Sequence, residues 1–484
     1  MTALPSFSAR HPDRLFIGGE WVRPAHDTTL VVRYPATGEA IAEVAAAGVE
    51  DAARAVAIAR HAFDHGPWPR ASAAERAAVL RRFADRVEAR FADLAQAVTL
   101  EMGAPITVTR AQGAGPPALI RYHAELLGLL PDVERRIRPS GSAWTVHEAV
   151  GVVVAIVPWN APLNLSVLKL APALAAGCAI VLKSAPTTPL DAILLAECLD
   201  DVGLPEGVVS ILPGDDAVGD ALVRDPRVDK VTFTGSTAVG RRIGAICGER
   251  IARVALELGG KSAAILLDDM DMAEAAAKLI PGATLLSGQA CAALTRVLVP
   301  RHRHDRFLEA FVAGLKAVKM GDPFDPATTL GPMSIERQRD RVEACIAQGR
   351  SEGARLVLGG GRPAGLDRGW YVEPTVFTDV DGTMSLAQHE IFGPVVSVMT
   401  YDGEDEAIAI ANDSAYGLYT SVFTHDSDAY WRIARRARSG SVGLNGLYID
   451  RTLPYGGFKQ SGIGREGGVE GLRSFQEIKT IFES

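Results

Sequence analysis

The spacing of hydrophobic and polar positions changes several times along this 484-residue chain. Residues 15–46 contain short segments separated by turns rich in Gly, Pro and Thr, which predicts short strands. Across residues 49–101 the apolar residues recur every three or four positions among charged residues, and this pattern continues over residues 113–136. Such a period predicts amphipathic helices, whose charged faces we expect to meet solvent.

From Ser140 onward the pattern becomes strand-like, and residues 151–157 form a continuous β-branched run. Such a run suits a strand that is buried on both faces of a parallel sheet. Helices and strands then alternate: helices at residues 163–176, 189–202, 216–224 and 238–247, and strands at residues 179–182, 208–212 and 230–234. This alternation predicts an open α/β sheet with right-handed crossovers.

A second α/β alternation runs from residue 262 to about residue 440. Its predicted strands are residues 263–267, 296–299, 395–401 and 421–424, and a final strand-like pattern covers residues 474–483. Two successive α/β halves predict two domains with a cleft between them, where cofactors and substrates usually bind.

Size and composition restrict the class of protein. A chain of 484 residues is too long for one hydrophobic core, and its net charge of -8 gives general nucleic-acid binding no electrostatic basis. The most apolar stretches, residues 149–159 and 170–182, are shorter than the roughly 18 residues that suggest a membrane span. Residues 1–14 lack the pattern of a signal peptide. We therefore expect a soluble enzyme without membrane or nucleic-acid partners.

The five cysteines show no paired spacing that would indicate a disulfide framework. They are Cys178, Cys198, Cys247, Cys291 and Cys345. A reducing, cytoplasmic setting is the simpler interpretation.

Three side chains are candidates for chemistry. Cys291 lies among small residues, where a substrate could reach a reactive thiolate, although a lone cysteine is commonly a buried small hydrophobe. Asn160 follows the strand at residues 151–157, so it could donate to an oxyanion or simply cap the next helix. Glu257 stands between leucines, where burial would raise its pKa and allow it to act as a general base, although a lone glutamate is usually solvated or paired.

A possible phosphate site follows the strand at residues 230–234. Gly235 allows close approach of a ligand, and Ser236 opens a helix whose first N–H groups are free to bind phosphate. A plain strand–helix turn with a serine cap is the simpler alternative. The GxGxxG dinucleotide fingerprint with its usual spacing is absent.

Six motifs together resemble the aldehyde dehydrogenase superfamily, in family order and spacing from about residue 15 to residue 484. They are Trp159-Asn160, the turn from Phe233 to Ser236, the run from Glu257 to Lys261, the run from Gly288 to Cys291, the run from Glu390 to Val395 and the run from Pro454 to Gly462. The resemblance implies an α/β fold of two open α/β domains with a small β oligomerisation arm. The Rossmann-like cofactor domain would comprise residues 1–130 and 150–258, the catalytic domain residues 259–471, and the arm residues 131–149 and 472–484.

The resemblance also implies a role for individual residues. Cys291 would attack the aldehyde, Asn160 would hold the oxyanion together with the Cys291 N–H, and Glu257 would activate the water that hydrolyses the thioester. Lys169 and Glu466 would relay protons. The cofactor would contact Pro158, Trp159, Lys183, Gly219, Gly235, Ser236, Leu258, Glu390 and Phe392, while Tyr455, Ala290 and Ala292 would line the substrate pocket. No metal is expected.

Two departures from the family pattern affect cofactor and substrate. Pro186 occupies the place of a glutamate that binds the ribose of NAD in many members and would repel the 2′-phosphate of NADP, so its loss removes one barrier to NADP. No arginine stands beside Pro186, however, so we expect NAD and keep NADP open. Ala161 replaces a frequent phenylalanine, and the alanines on both sides of Cys291 predict a roomy pocket mouth. Arg451 could bind the carboxylate of a semialdehyde, although we favour a solvent-facing loop arginine.

The functional prediction is NAD(P)-dependent oxidation of an aldehyde to its carboxylic acid through a cysteine thiohemiacetal and thioester. The acyl group would pass to water, because acylating members of the family typically lack a glutamate at the position of Glu257. A semialdehyde dehydrogenase that prefers NADP is the alternative, and a non-catalytic protein on the same scaffold is a further one. The resemblance implies a homodimer or homotetramer, and the substrate itself stays open.

Overall fold

The computed structural model describes residues 4–5, 7–139 and 141–482. Ser140, where the strand-like pattern was expected to begin, lies outside the described residues, as do residues 483–484 of the predicted arm. Within the described part of the chain, no helix is long and apolar enough to cross a membrane.

The strands are β1 Leu15–Ile17, β2 Glu20–Val22, β3 Thr29–Arg33, β4 Ala40–Ala45, β5 Val133–Arg138, β6 Gly141–Ala149, β7 Val152–Ile156, β8 Ala179–Ser184, β9 Val209–Pro213, β10 Lys230–Thr234, β11 Arg253–Glu257, β12 Ser262–Leu266, β13 Leu294–Pro300, β14 Arg355–Leu358, β15 Thr375–Thr378, β16 Val395–Tyr401, β17 Tyr419–Phe423, β18 Ser441–Leu444, β19 Gly462–Ile463 and β20 Gln476–Phe482.

The α-helices are α1 Val49–His65, α2 Ala73–Ala89, α3 Phe91–Met102, α4 Ile106–Ala111, α5 Gly115–Leu129, α6 Pro162–Ala176, α7 Leu190–Asp200, α8 Asp216–Arg224, α9 Thr237–Arg250, α10 Met272–Thr284, α11 His304–Lys316, α12 Glu336–Ser351, α13 Ser385–Gln388, α14 Glu404–Asn412, α15 Ser427–Ala434 and α16 Gly468–Arg473. Short 3₁₀ segments cover Trp68–Arg70, Leu285–Gly288, Arg301–Arg303 and Lys459–Ser461.

The first large sheet has eight strands in the order β19-β11-β10-β7-β8-β9-β1-β2. The five strands from β11 to β9 are parallel, as their buried apolar runs predict. The chain leaves β7 in one direction toward β8 and β9 and in the other toward β10 and β11. Ligands of open α/β sheets bind at such a switch point, outside the carboxyl ends of the strands.

The second large sheet has seven strands in the order β14-β15-β16-β13-β12-β17-β18, and only β14 is antiparallel to its neighbour. Apolar side chains bury both faces of each large sheet. The predicted α/β fold class is confirmed. The short strand β19 pairs with β11, so the chain returns to the first sheet after completing the second.

A three-stranded sheet of β20, β6 and β5 stands apart from the two large sheets. The helix predicted over residues 113–136 is wrong in its second half, because α5 ends at Leu129 and residues from Val133 to Arg138 form β5. Pro131 explains the difference, since a proline restricts the preceding residue and cannot continue a helix. The alternating pattern near the carboxyl end does form a strand, β20.

Candidate active site

A cavity of about 490 Å³ is lined by strand ends of the first large sheet and by helix α12 and loops that connect elements of the second α/β half. Its volume lies within the range of roughly 300–1,000 Å³ that small-molecule sites occupy. Most of the site residues that the sequence singles out line it: Pro158, Trp159, Asn160, Gly235, Ser236, Glu257, Leu258, Ala290, Cys291, Ala292, Glu390, Phe392, Tyr455 and Glu466. Lys169, Lys183 and Gly219 lie outside its lining.

Cys291 lies in the loop between α10 and β13, and its side chain is partly exposed to the cavity. Side-chain hydrogen bonds fix this loop: the Ser287 hydroxyl donates to the Gly331 carbonyl at 2.8 Å, and Gln289 Oε1 accepts from the Ser334 N–H at 2.9 Å. Gly288 has a φ of 74°, and a Cβ there would collide with the Gly393 backbone. These hydrogen bonds and the close packing at Gly288 therefore fix the position of Cys291, although it lies in neither a helix nor a strand.

Asn160 follows β7 and is 8% exposed. Its Nδ2 donates to the carbonyl of Gln289 at 2.9 Å, which connects the segment after β7 to the cysteine loop. The alternative that Asn160 caps the next helix is wrong, because the N-cap of α6 is Ala161. An amide nitrogen carries two hydrogens, so one remains for an oxyanion at the cavity.

Glu257 ends β11 and is 4% exposed. Neither carboxylate oxygen has a hydrogen-bond partner among the described residues. Burial, reinforced by the nearby charge of Glu466, raises the pKa of Glu257 well above the ordinary carboxyl value. A buried carboxylate without a partner retains its full capacity to accept a proton from water.

Behind Glu257 lies a set of polar groups that we name the rear cluster, consisting of Lys169, Thr232 and Glu466. The Lys169 ammonium donates to Glu466 Oε1 and, at 3.1 Å, to the Thr232 hydroxyl. Thr232 in turn donates to Glu466 Oε1 at 3.0 Å. The sequence brought Lys169 and Glu466 into the site by resemblance but missed Thr232. The available signal was the alternation of polar residues, Lys230, Thr232 and Thr234, along the short strand β10.

The opposite part of the cavity offers surfaces for a dinucleotide. Gly235 and Ser236 lead into α9, and the Ser236 hydroxyl accepts from the Val239 N–H at 3.4 Å, so the serine is a cap and a cavity residue at once. Trp159 packs edge-on against Phe392 with ring centroids 5.4 Å apart. The helix N-terminus suits a phosphate and the aromatic pair suits a ring, so the residues present fit NAD or NADP.

Glu390 lines the same part of the cavity. Its carboxylate accepts from the Gly260 N–H at 3.1 Å and lies so close to Gly259 that a Cβ there would collide with it. Burial raises the pKa of Glu390 to about 7. Leu258 packs against Gly240 of α9, which leaves no room for a Cβ on that glycine.

Lys183 and Gly219 lie together, beside the cavity rather than in its wall. A Cβ on Gly219 of α8 would meet the Lys183 stem at 3.5 Å, and the Lys183 ammonium donates to the Ser184 carbonyl at 3.2 Å. Burial lowers the pKa of Lys183 to about 8, opposed by the charges of Asp216 and Asp215. Acidic side chains therefore stand within electrostatic reach of Lys183, although Pro186 takes the place of the family glutamate.

The substrate end of the cavity combines apolar and polar walls. Tyr455 is 7% exposed, and its hydroxyl lies 3.5 Å from the Cys291 sulfur. The interpretation of Arg451 as solvent-facing is wrong: it lines the cavity, and its Nη1 is buried without a hydrogen-bond partner among the described residues. Asn164 donates to Gln112 Oε1 at 2.7 Å in the same wall. This amide pair was not predicted, because nothing in the spacing of the sequence connects the two positions.

Comparison with known proteins agrees with this geometry. The aldehyde dehydrogenase family model matches residues 21–481. Geranial dehydrogenase of Castellaniella defragrans is 46% identical over 470 residues, covering 97% of this chain and 98% of the relative.

Two solved structures extend the match to three dimensions. A Mycobacterium tuberculosis aldehyde dehydrogenase complexed with NAD+ has a TM-score of 0.96, 46% identity and 99% coverage of both chains. A Pseudomonas syringae aldehyde dehydrogenase C variant in complex with NAD+ and octanal has a TM-score of 0.95, 39% identity and 98% coverage of both chains. The resemblance is thereby confirmed, and this chain belongs to the aldehyde dehydrogenase family of NAD(P)-dependent oxidoreductases.

Proposed function

We propose that this protein oxidises an aldehyde to its carboxylic acid, with Cys291 as nucleophile, Asn160 as oxyanion donor and Glu257 as general base. The observation that carries the proposal is the convergence of these side chains, far apart in sequence, on one cavity that also fits a dinucleotide. Thiolate attack, oxyanion stabilisation and deacylation require these three chemical types.

In the first step the Cys291 thiolate attacks the carbonyl carbon, a C–S bond forms, and the carbonyl oxygen becomes an oxyanion. Asn160 Nδ2 and the N–H of Cys291 hold that oxygen. Trp159 and Phe392 would hold the nicotinamide cofactor, which would supply the acceptor for the hydride that the adduct loses when it becomes a thioester. Glu257 then takes a proton from water, the resulting hydroxide attacks the thioester, and the C–S bond breaks to release the acid and the thiolate.

Assays with a panel of aldehydes test this function directly. We expect reduction of the cofactor together with one equivalent of carboxylic acid, detected by chromatography, and no requirement for coenzyme A. An aldehyde panel that gives no turnover with either NAD or NADP would contradict the proposal.

We further propose NAD as the preferred cofactor. Asp215 and Asp216 lie within electrostatic reach of Lys183 and would repel the 2′-phosphate of NADP. Replacing both by serine retains a side chain that can cap α8 at position 215, and it should raise kcat/KM with NADP relative to NAD. An unchanged ratio would show that another feature selects the cofactor.

Arg451 favours a second candidate function, oxidation of an aldehyde that carries a carboxylate. Arg451 lines the cavity, its Nη1 is buried without a hydrogen-bond partner, and no acidic side chain forms an ion pair with it among the described residues. Arg451→Ala would then raise KM for succinic semialdehyde while leaving KM for an apolar aldehyde of similar length nearly unchanged. Equal effects on both substrates would exclude the carboxylate-binding role.

For the assembled state we propose a homodimer or homotetramer. Strands β5 and β20 are the outer strands of the small sheet, which exposes Ile137, Ile478 and Phe482 by 88%, 66% and 66%. Exposed strand edges with apolar side chains favour pairing with another chain. Light scattering should show a dimer or tetramer, and Ile478→Asp with Phe482→Asp should shift it toward the monomer. A monomeric unmodified protein would contradict this proposal.

The described cysteines are all free, and the nucleophile must be reduced to react. These two facts support our proposal of a cytoplasmic location, which fractionation of the producing cells would test.

A further inference from the structure

The hydroxyl of Tyr455 is placed against the sulfur of Cys291. The two atoms are 3.5 Å apart, within hydrogen-bond distance for sulfur, although the residues are separated by 164 positions in the chain. The Tyr455 N–H donates to the Glu466 carbonyl at 2.7 Å, and the Glu466 N–H donates to the Tyr455 carbonyl at 2.8 Å. This backbone pairing fixes the origin of the tyrosine side chain and therefore the position of its hydroxyl.

Arg451 holds the tyrosine ring from one face. Its guanidinium carbon lies 5.2 Å from the ring centroid, a cation–π distance. A cation over the ring withdraws electron density from the phenol, which makes its O–H a stronger hydrogen-bond donor. The same positive charge favours an anion at Cys291, and it opposes the effect of burial on that thiol.

The direction of the hydrogen bond follows from the protonation states of the two groups. Burial raises the pKa of Tyr455 well above its ordinary value, so the phenol keeps its proton at neutral pH. A thiolate has no hydrogen to donate, so Tyr455 must be the donor whenever Cys291 is ionised. Burial raises the pKa of the Cys291 thiol, and the hydrogen bond from Tyr455 lowers it.

We propose that Tyr455 is a further catalytic residue, whose hydroxyl donates a hydrogen bond to Cys291 Sγ and stabilises it as the thiolate. The thiolate is the attacking group in acylation and the leaving group in deacylation, so the same contact serves both steps. This inference rests on the proposed role of Cys291 as nucleophile. It gives Tyr455 a chemical role in addition to lining the pocket.

The test is the pH dependence of Cys291 alkylation by iodoacetamide, measured without aldehyde. Cys345 is the other partly exposed cysteine, so the experiment uses a Cys345→Ala background and confirms the labelled residue by peptide mass spectrometry. Tyr455→Phe removes only the hydroxyl and preserves the ring. We expect the midpoint of alkylation to rise by about one pH unit, which makes the rate at pH 7.5 fall about tenfold.

Tyr401→Phe is the matched control. Tyr401 is a buried tyrosine of β16 whose hydroxyl donates to the Leu266 carbonyl at 2.5 Å, and it does not line the cavity. Removing the Tyr401 hydroxyl should leave the midpoint of Cys291 alkylation unchanged. Arg451→Met should raise the midpoint by less than Tyr455→Phe does, because the tyrosine donor remains, and Arg451→Lys should restore most of the shift.

An alkylation midpoint in Tyr455→Phe that equals that of the unmodified protein would overturn the inference, as would an equal shift in Tyr401→Phe. The proposed function has a separate criterion. If Cys291→Ala still oxidises aldehydes, Cys291 is not the nucleophile. A midpoint shift in Tyr455→Phe would in that case still report the hydrogen bond, so the two failures are distinguishable.

Discussion

The buried carboxylates at the front and at the rear of the catalytic cavity differ in their hydrogen-bond partners. Glu257 at the front and Glu466 in the rear cluster are each 4% exposed. Glu466 Oε1 accepts from both Lys169 and Thr232, whereas neither oxygen of Glu257 has a partner among the described residues. The two glutamates are thus equally buried but unequally paired.

That difference in pairing suits the two glutamates to different roles, one structural and one in proton transfer. A buried carboxylate that is paired is held in place, and removing its partner leaves an uncompensated charge. A buried carboxylate without a partner has a raised pKa and is ready to take a proton from water. The comparison therefore supports our proposal that Glu257 is the base and that the rear cluster has a supporting or relay role.

The largest expected effect concerns the front of the cavity. Cys291→Ala should lower kcat by about 10⁴-fold or more, because it removes the only covalent attachment in the proposed reaction. Cys345→Ala, on α12, should retain the activity of the unmodified protein. Steady-state assays with saturating aldehyde and NAD measure both, and appreciable turnover by Cys291→Ala would show that the covalent route is wrong.

The next largest expected effect is a loss of folding stability when the rear cluster is changed. Lys169→Met should lower the free energy of unfolding by about 3–5 kcal/mol, because Glu466 loses the charge that compensates its own. Urea denaturation followed by fluorescence measures the change. The double variant Lys169→Met with Glu466→Leu should recover much of the loss, since no buried charge then remains unpaired. If the single variant is as stable as the unmodified protein, the pair does not support the site.

A smaller expected effect is a change in thermal stability that has opposite signs for the two glutamates. The folded pKa of Glu257 is raised, so its ionisation destabilises the fold as pH rises above the ordinary carboxyl pKa of about 4.5. Glu257→Gln should therefore be close to the unmodified protein in Tm near pH 5 and increasingly more stable toward pH 9. Glu466→Gln should be less stable, because Lys169 loses its counter-charge. Thermal unfolding at several pH values measures both, and equal signs would remove the distinction between front and rear.

Sequence patterns predicted the parts of this site that depend on strand order. Asn160 and Gly235 follow the strands β7 and β10, Glu257 ends β11, and parallel strands place their carboxyl ends at one edge of a sheet. The apolar runs of β7 and β10 predicted those two strands, whereas β11 was not predicted. The convergence of these three residues on one cavity follows from that topology.

Other features depend on packing between segments that are distant in the chain. The contact between Tyr455 and Cys291 requires two loops to meet, and the spacing of hydrophobic residues along the sequence does not predict the distance between those loops. The orientation of Arg451 toward the cavity depends on the same loop, which explains why sequence reasoning favoured solvent. The short strands β14, β15 and β18 were not predicted as strands, because four residues are too few to show a period.

The most direct test of the account is to trap the acyl enzyme in Glu257→Gln. Without the base, one equivalent of NADH should form in a rapid burst for each site, and further turnover should be slow. Intact and peptide mass spectrometry should then find the acyl group of the aldehyde on Cys291. A full rate of turnover in Glu257→Gln, or an acyl group on another residue, would contradict the account.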